Sequence, residues 1–523
     1  MSGGDDQQLF FLHGLIWNKH LGGDLWLYKN VMDCGTILIG EAEFLPVFKT
    51  RVKLLASIQD MLLAKLHQLE CHFTWGLNDT DLNDLQHRLK NNIELAEGED
   101  RNIGWSYSYQ AFTKYMQGHV EEAPDDLAKA EQHIRQQHGD NCEKQLIVTY
   151  GNFAWVYYHM GEHVQSQTYL DKLEKIKKKF PTESPSALHP EIYGEKGRAF
   201  LTFSRQFYEK AKECFEKALE LEPEEIEWND GYAVALYRIE YYNHTSFEES
   251  PASKQLRRVL ELDPNNAYMM VLLGLKHADY GEHEKAEELM ERAMELESDK
   301  PYVTQYVAMY YRNNGKVDES ISLLKRALEK TPDSAFLHHQ LGLSYDRKTA
   351  NNSDEADNLF RLSIQHLEQA ISLKPSFIFA MVKLAQLYAK GKDNRKAEEM
   401  FQRAFEVATA RKEHLPMVTV NYAHFQLYNN RSEPLAVKHY KEGLRLQKDT
   451  QEGGKCAKKL ENIANKKISR NPHDGEAFEI RGYVSQMRGD KCQAIECYEK
   501  AILYDPGNEE YLNALCDLHL SLK

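Results

Sequence analysis

Tyrosines and cationic side chains recur together at positions spread along 287 residues of the sequence. Tyrosine and arginine can stack on nucleobases while cations meet phosphates, so this combination fits single-stranded nucleic acid. A tyrosine at helical spacing is equally an ordinary core residue of a helical repeat, and the sequence leaves both interpretations open. The residues in question are Arg88, Tyr208, Arg238, Tyr268, His339, Gln340 and Lys374.

Charge is distributed unevenly along the chain. With 65 Lys and Arg against 80 Asp and Glu, the net charge is −15, which argues against a generally basic nucleic-acid-binding surface. From Asn430 to Arg470, however, eleven basic residues stand against five acidic ones, which gives 11 − 5 = +6 there and −21 for the remainder. This basic segment is either a solvated helix face or a nonspecific nucleic-acid patch.

A repeated pattern of small and large residues determines the architecture, because 523 residues exceed one compact core. The pattern is a small residue, a large apolar one four positions on, another small one three further, and often a proline, as in Ala211–Phe215–Ala218–Pro223. Its first positions at 252, 286 and 320, and again at 363 and 397, are 34 residues apart. That period is typical of tetratricopeptide repeats. We therefore predict an all-α superhelix of nine or ten helix pairs.

Irregular spacing predicts additional elements and domain boundaries. The step of 58 residues from 436 to 494 leaves room for an extra helix that carries the basic segment. Residues 1–50 do not follow the pattern, and we expect an atypical, poorly ordered N-terminal extension without regular periodicity. We predict three repeat subdomains, at residues 51–285, 286–450 and 451–523.

Sequence motifs of common enzyme classes are absent: there is no GxxxxGK[ST], HExxH or GxSxG. We expect no enzyme activity, no catalytic residues and no cofactor. The eight cysteines include no CxxC pair, so we expect no metal site and mostly reduced thiols in a cytoplasmic protein. The sequence contains no run of 18 apolar residues, so we expect no membrane-spanning helix. Asp5 and Asp6 stand where a signal peptide would carry positive charge, so we expect no secretory signal.

Several segments in order along the chain resemble the interferon-induced proteins with tetratricopeptide repeats (the IFIT family). They include CHFTW from Cys71, GNFAWVYYHMG from Gly151, YEKAKECFEK from Tyr208 and LHHQLGLSY from Leu337. The resemblance covers roughly residues 55–520 and implies a superhelix curled around a basic central channel. It also implies an antiviral effector of innate immunity that holds the 5′ triphosphate or incompletely methylated cap of foreign single-stranded RNA and blocks its translation.

The family's RNA-contacting positions carry over unevenly to this sequence. Where RNA-binding members have a Trp that stacks on the cap and a Lys four residues on, this chain has Arg198 and Thr202, and Gln305 replaces an Arg. These departures weaken the cap-binding interpretation and leave triphosphate recognition through Arg88 and Arg238. The implied RNA-binding residues are Arg88, Asn92, Arg198, Tyr208, Arg238, Asn266, Tyr268, His339, Gln340 and Lys374.

The leading alternative is a scaffold that does not bind RNA and that forms homo- or hetero-oligomers with paralogous repeat proteins through the C-terminal repeats near Tyr498. It predicts binding that is insensitive to a 5′ phosphate. An enzyme without a recognisable motif is the third alternative.

Overall fold

Helices account for nearly all of the computed structural model. It describes residues 10–12, 15–17, 26–29, 36–39, 59–77, 103–139, 142–184, 187–240, 250–298, 300–349, 355–411, 414–447 and 451–520, together with six single positions between 82 and 93. Arg88 and Asn92, two of the predicted RNA-binding residues, lie outside the described residues.

Twenty-two α-helices follow residue 103 within the described part of the chain. In the first half they are α1 Gly104–Met116, α2 Ala123–His138, α3 Ile147–His159, α4 His163–Lys179, α5 Pro190–Phe203, α6 Tyr208–Leu221, α7 Ile226–Glu240, α8 Pro251–Leu262, α9 Ala267–Asp279, α10 His283–Glu297 and α11 Pro301–Asn313. In the second half they are α12 Val317–Lys330, α13 Ala335–Thr349, α14 Ala356–Leu373, α15 Ile378–Lys390, α16 Asn394–Arg411, α17 Leu415–Tyr428, α18 Glu433–Leu446, α19 Gln451–Arg470, α20 Gly475–Arg488, α21 Lys491–Tyr504 and α22 Glu509–Leu520.

Small residues let consecutive helices approach closely, as the repeat pattern requires. Ala252, Ala286 and Ala397 are fully buried. At Gly342 of α13, an added Cβ would lie 2.9 Å from Leu367 Cγ of α14, so this position tolerates only glycine without a shift of its neighbour. Consecutive helices such as α9 and α10, α13 and α14, and α20 and α21 pack against each other, which confirms the predicted all-α repeat fold. Helix α19 is the extra helix predicted for the basic segment.

Four short strands lie ahead of the repeats and were not predicted. They are β1 Phe10–Leu12, β2 Leu15–Trp17, β3 Trp26–Lys29 and β4 Thr36–Ile39, paired antiparallel in sequence order. Ile16 pairs with Phe11 on one side and with Leu27 on the other. Strands of three or four residues are too short to show a period of two, so the sequence pattern did not reveal them.

The chain forms two compact units. Unit 1 comprises Met1–Asn78 and Asn92–Ala199, and unit 2 comprises Asp79–Asn91 and Phe200–Lys523. Neither boundary coincides with those at 285 and 450, so the three-part division of the repeats stays a prediction.

The two most distinctive sequence segments, CHFTW and GNFAWVYYHMG, pack together in the core of unit 1. The Asn152 side chain of α3 accepts a hydrogen bond from the His72 backbone N–H (3.2 Å), and its Nδ2 donates to His72 Nδ1 (2.7 Å) and Ser108 Oγ (2.9 Å). A Cβ at Gly151 would lie 2.8 Å from Cys71 Cβ. CHFTW and GNFAWVYYHMG are therefore packing partners, which is why both depart from generic repeat sequence.

Candidate nucleic-acid interface

Arg238 lies in the last turn of α7, in unit 2, and is held from two sides. Its Nη1 donates to the Leu201 carbonyl oxygen (2.8 Å), and its guanidinium carbon lies 5.4 Å from the centre of the Tyr208 ring. The side chain is half-buried. A guanidinium that is stacked and anchored in this way keeps further N–H donors for an anion and loses little entropy on binding one.

Tyrosines extend from Arg238 along the next helices of the same unit. The rings of Tyr268 on α9 and Tyr306 on α11 are 5.9 Å apart, and Tyr268 also contacts Tyr302 at 5.8 Å. Interaction with Tyr268, followed by burial, raises the pKa of Tyr306 well above its ordinary value. Its phenol therefore remains protonated at neutral pH and can donate a hydrogen bond to an acceptor such as a phosphate oxygen.

His339 and Gln340 of α13 form a second group with a cation that the sequence did not reveal. Arg312 Nη1 of α11 donates to Gln340 Oε1 (2.6 Å), and Gln340 Nε2 lies 3.4 Å from His339 Nδ1. The His339 ring packs on Phe377 at 4.8 Å, and Lys374 Nζ lies 5.8 Å from the same Phe377 ring. Burial, and then the positive charges of Arg312 and Lys383, lower the pKa of His339 to about 3. His339 is therefore a neutral imidazole at pH 7.

Asn266 has a local structural task. Its Oδ1 accepts from the Met269 backbone N–H (3.2 Å) and caps α9, while Nδ2 donates to Asp230 Oδ2 (3.0 Å). An N-cap of this kind contributes about 1 kcal/mol to stability. A contact between Asn266 and RNA would have to share these hydrogen bonds.

Arg198 lies in α5, in the part of the helix that belongs to unit 1. Its guanidinium carbon lies 5.2 Å from the centre of the Trp105 ring. Burial raises the pKa of the neighbouring Glu195 to about 8, against the opposing charge of Arg198. Arg198 can thus offer a guanidinium plane backed by an indole, which is a surface suited to stacking.

The repeat register explains both which residues gather in unit 2 and which were missed. Arg238, Leu272, Tyr306, Gln340 and Lys383 stand 34, 34, 34 and 43 residues apart, and so occupy one equivalent repeat position. A second equivalent position, with steps of 34, 34 and 43, carries an aromatic ring every time: Tyr268, Tyr302, Phe336 and Phe379. Extending the repeat arithmetic to these positions would have found Lys383 and Phe379.

Neutral histidines make the stability of the fold sensitive to acid. Burial is the largest cause that lowers the pKa of His72 and His339 to about 3, whereas unfolded histidine titrates near 6.5. The unfolded state then binds more protons, so stability is complete above pH 6.5 and is lost as the pH falls toward 3, by about 1.4 kcal/mol per histidine and pH unit. We expect a lower thermal midpoint at pH 5.5 than at 7.5, and a smaller difference between them in His339→Gln. Equal differences in the two proteins would contradict a neutral, buried His339.

Metal-binding groups, membrane-spanning helices and disulfides are all absent from the described ranges. No group of three or more His, Cys, Asp or Glu side chains there could hold a metal ion. No helix among those residues is long and apolar enough to span a bilayer. The seven cysteines that the structure describes are free thiols, and five of them are buried.

Helix pairs that recur with a 34-residue period and pack through small buried residues define a tetratricopeptide-repeat protein. Two family models described as tetratricopeptide repeat match residues 206–225 and 379–406. Human IFIT1 homolog B is 38% identical over 461 residues, which cover 85% of this chain and 96% of that protein. Human interferon-induced protein with tetratricopeptide repeats 2 is 33% identical, with 85% and 96% covered. This chain belongs to the family of interferon-induced proteins with tetratricopeptide repeats.

Solved structures of one family member superpose over the same extent. The human IFIT1 dimer with m7Gppp-AAAA has a TM-score of 0.77 and 34% identity, covering 85% of this chain and 99% of that one. The human IFIT1 dimer with PPP-AAAA has a TM-score of 0.76 and 34% identity, covering 85% and 100%. Both neighbours were therefore solved with short RNAs that differ at the 5′ end.

Proposed function

We propose that this protein is an interferon-induced antiviral effector that binds the 5′ end of foreign single-stranded RNA and blocks its translation. The observation that carries the proposal is the anchored, half-buried Arg238 guanidinium among the tyrosines of unit 2. A 5′ triphosphate is a dense anion, and a partly buried guanidinium is screened much less by salt than one at the surface. The solved structures of one similar human protein with capped and with triphosphate RNA support the same interpretation.

The proposed RNA-binding residues fall into two groups in unit 2. Arg238, Tyr208 and Tyr268 would meet the 5′ phosphates, and His339, Gln340 and Lys374 would meet the following nucleotides. Arg312 and Lys383 join the second group, because both place positive charge beside His339. Asn266 contributes chiefly by fixing the start of α9. Arg88, Asn92 and Arg198 remain candidates from the family resemblance.

Recognition of a triphosphate is favoured over recognition of a cap. Thr202 and Gln305 remove two cations that the resemblance implies, and Arg198 stands in place of the stacking Trp. A direct test compares the affinities of one short RNA that carries a triphosphate, a cap or a hydroxyl at its 5′ end. Preferential binding of the triphosphate form supports the proposal, whereas equal affinities contradict it. A preference for the cap would assign the stacking to Arg198.

The protein works by binding, without enzyme activity, in the cytoplasm. Free, mostly buried thiols fit a reducing compartment. No motif for a nucleotide-hydrolysing or peptide-hydrolysing centre exists in the sequence.

Self-association or association with paralogues through the C-terminal helices is a further part of the proposal. Leu503 of α21 is 69% exposed, and Leu512 and Leu520 of α22 are 42% and 67% exposed. Large apolar side chains exposed on the last two helices are candidates for a protein-binding surface. A similar human protein forms a dimer, and a variant of it with two Leu-to-Glu substitutions is a monomer.

We expect Leu503→Glu with Leu512→Glu to lower the mass of any oligomer to that of a monomer in light scattering, because a buried carboxylate opposes association. Glu substitution of the exposed Val164 in α4 is the matched control and should leave the mass unchanged. An oligomer that survives the double substitution would place the interface elsewhere.

A further inference from the structure

A second cationic cluster in unit 2 forms around a hydrogen bond between two residues that are 209 positions apart in the sequence. Arg205 lies in a short 3₁₀ helix, Arg205–Phe207, and its Nη1 donates to His414 Nδ1 at 3.1 Å. The His414 ring meets Phe379 edge-on, with centroids 4.5 Å apart. Unit 2 therefore curls back on itself, and Arg205, Phe379 and His414 meet there, each of them partly accessible.

The groups around His414 are positively charged and therefore favour the binding of an anion. His414 is the N-cap of the 14-residue helix α17, and its side chain does not cap the helix. The positive end of the helix dipole therefore lies at this cluster. Arg411, the last residue of α16, contributes a second guanidinium: burial, and then the charges of Arg205 and Arg411, lower the pKa of His414 to about 4.

Two features of this cluster indicate a ligand-binding role in addition to a structural one. His414 adopts the left-handed conformation (φ 57°), which is uncommon for residues other than glycine. The Ser204 hydroxyl, directly before Arg205 in the chain, is buried and has no hydrogen-bond partner among the described residues. Strain and an unsatisfied buried donor are typical of sites that complete their contacts with a ligand.

The cluster adjoins the proposed site of the 5′ phosphates. Arg238 is bonded to Leu201 and stacked on Tyr208, and Arg205 lies between these two residues in the chain. Three residues span at most about 11 Å, so the backbones of Arg205 and Tyr208 lie within that distance. A strand whose 5′ phosphates contact Arg238 thus has its next phosphates within reach of Arg205.

We propose that Arg205 and Arg411, with the N-terminus of α17, form a second phosphate subsite that binds a backbone phosphate of the RNA. Arg205 contributes the direct contact, and His414 positions it by accepting its Nη1 hydrogen. This proposal rests on the proposed RNA-binding function, but it can be tested separately. The subsite contacts a backbone phosphate, so its loss should lower the affinity for RNAs with different 5′ groups equally.

The test uses full-length protein and a fluorescent triphosphate-bearing hexanucleotide, with affinities measured over a range of salt concentrations. For single strands the slope of log K against log salt falls by about 0.7 for each phosphate that the protein no longer neutralises. We expect Arg205→Gln and Arg411→Gln each to weaken binding about tenfold, to reduce the slope by about that amount, and to keep the ratio of triphosphate to hydroxyl affinity. Arg395→Gln, which removes an exposed arginine from α16, is the matched control.

A methylphosphonate scan of the same RNA locates the contact. Neutralising one particular linkage should weaken binding to the wild type and to Arg395→Gln, but should have no effect on Arg205→Gln. Thermal midpoints separate this result from loss of folding, and Arg411→Gln keeps the Arg205–His414 bond if Arg205→Gln proves unstable.

Unchanged salt slopes and an unchanged scan in both variants would overturn the subsite while the proposed function stands. Equal wild-type affinity for triphosphate and hydroxyl RNA would instead contradict the proposed function, and the slope and the scan would still test the subsite. Absence of any RNA binding would overturn both.

Discussion

Arg238→Ala should remove the preference of the protein for a 5′ triphosphate. The guanidinium has its geometry fixed by Leu201 and Tyr208 before any ligand arrives, so most of its interaction with a phosphate appears as affinity. Truncating one partner of a partly buried, charged hydrogen bond costs about 2–5 kcal/mol, or roughly 30-fold to several thousand-fold in affinity. The measurement is the ratio of triphosphate to hydroxyl RNA affinity at fixed salt, which should fall close to one.

Two controls make the Arg238 result specific. Arg238→Lys keeps the charge but loses the planar stack on Tyr208, and we expect it to recover only part of the preference. Arg258→Ala removes an arginine of α8 that pairs with Glu261 at 3.3 Å, and should leave the ratio unchanged. A preference that persists in Arg238→Ala at the wild-type thermal midpoint would place the triphosphate elsewhere.

Asn152→Leu should unfold unit 1 at a markedly lower temperature. The substitution conserves volume, but it leaves the His72 backbone N–H, His72 Nδ1 and Ser108 Oγ without the partner that Asn152 supplies. Each buried polar group that loses its partner costs about 1–3 kcal/mol, so the expected total is about 3 kcal/mol or more. Thermal unfolding followed by circular dichroism measures the change.

The Asn152 prediction also separates structure from function in the most recognisable part of the sequence. Gln167→Leu, at a partly exposed position of α4, is the control and should leave the midpoint within about a degree or two. RNA binding by Asn152→Leu at low temperature should match the wild type, because the side chain is buried in a protein core. A wild-type midpoint, or a selective loss of RNA binding without destabilisation, would contradict the assignment of CHFTW as a packing motif.

Much of the fold could be predicted because the same pattern of small and large residues occurs in many repeats. Ala252, Ala286 and Ala397 are small for the same reason, namely that a paired helix lies against each of them, so the period is visible in one sequence. The extra helix α19 was predictable as a gap in that period. The sheet formed by β1–β4 was not, because each strand occurs once and is only three or four residues long.

The candidate site could be predicted only in part, since side-chain partners come from distant repeats. Arg238, Tyr208 and Tyr268 do gather, and His339 and Gln340 are joined by Arg312. Asn266 matched a binding position in the family, yet its Oδ1 caps α9 and its Nδ2 donates to Asp230. Arg205 gave no signal, because its partner His414 lies 209 residues away and becomes adjacent only when unit 2 curls.

The central claim is that the protein discriminates the 5′ end of single-stranded RNA by its phosphates. The measurement that tests it most directly is the equilibrium affinity of the wild-type protein for one short RNA bearing a triphosphate, a cap or a hydroxyl, at two salt concentrations. The account predicts that the triphosphate form binds at least tenfold more tightly than the hydroxyl form, about 1.4 kcal/mol, at both concentrations. Equal, weak and steeply salt-dependent binding of all three RNAs would contradict it, and would leave the basic segment Asn430–Arg470 as a nonspecific patch on a protein-binding scaffold.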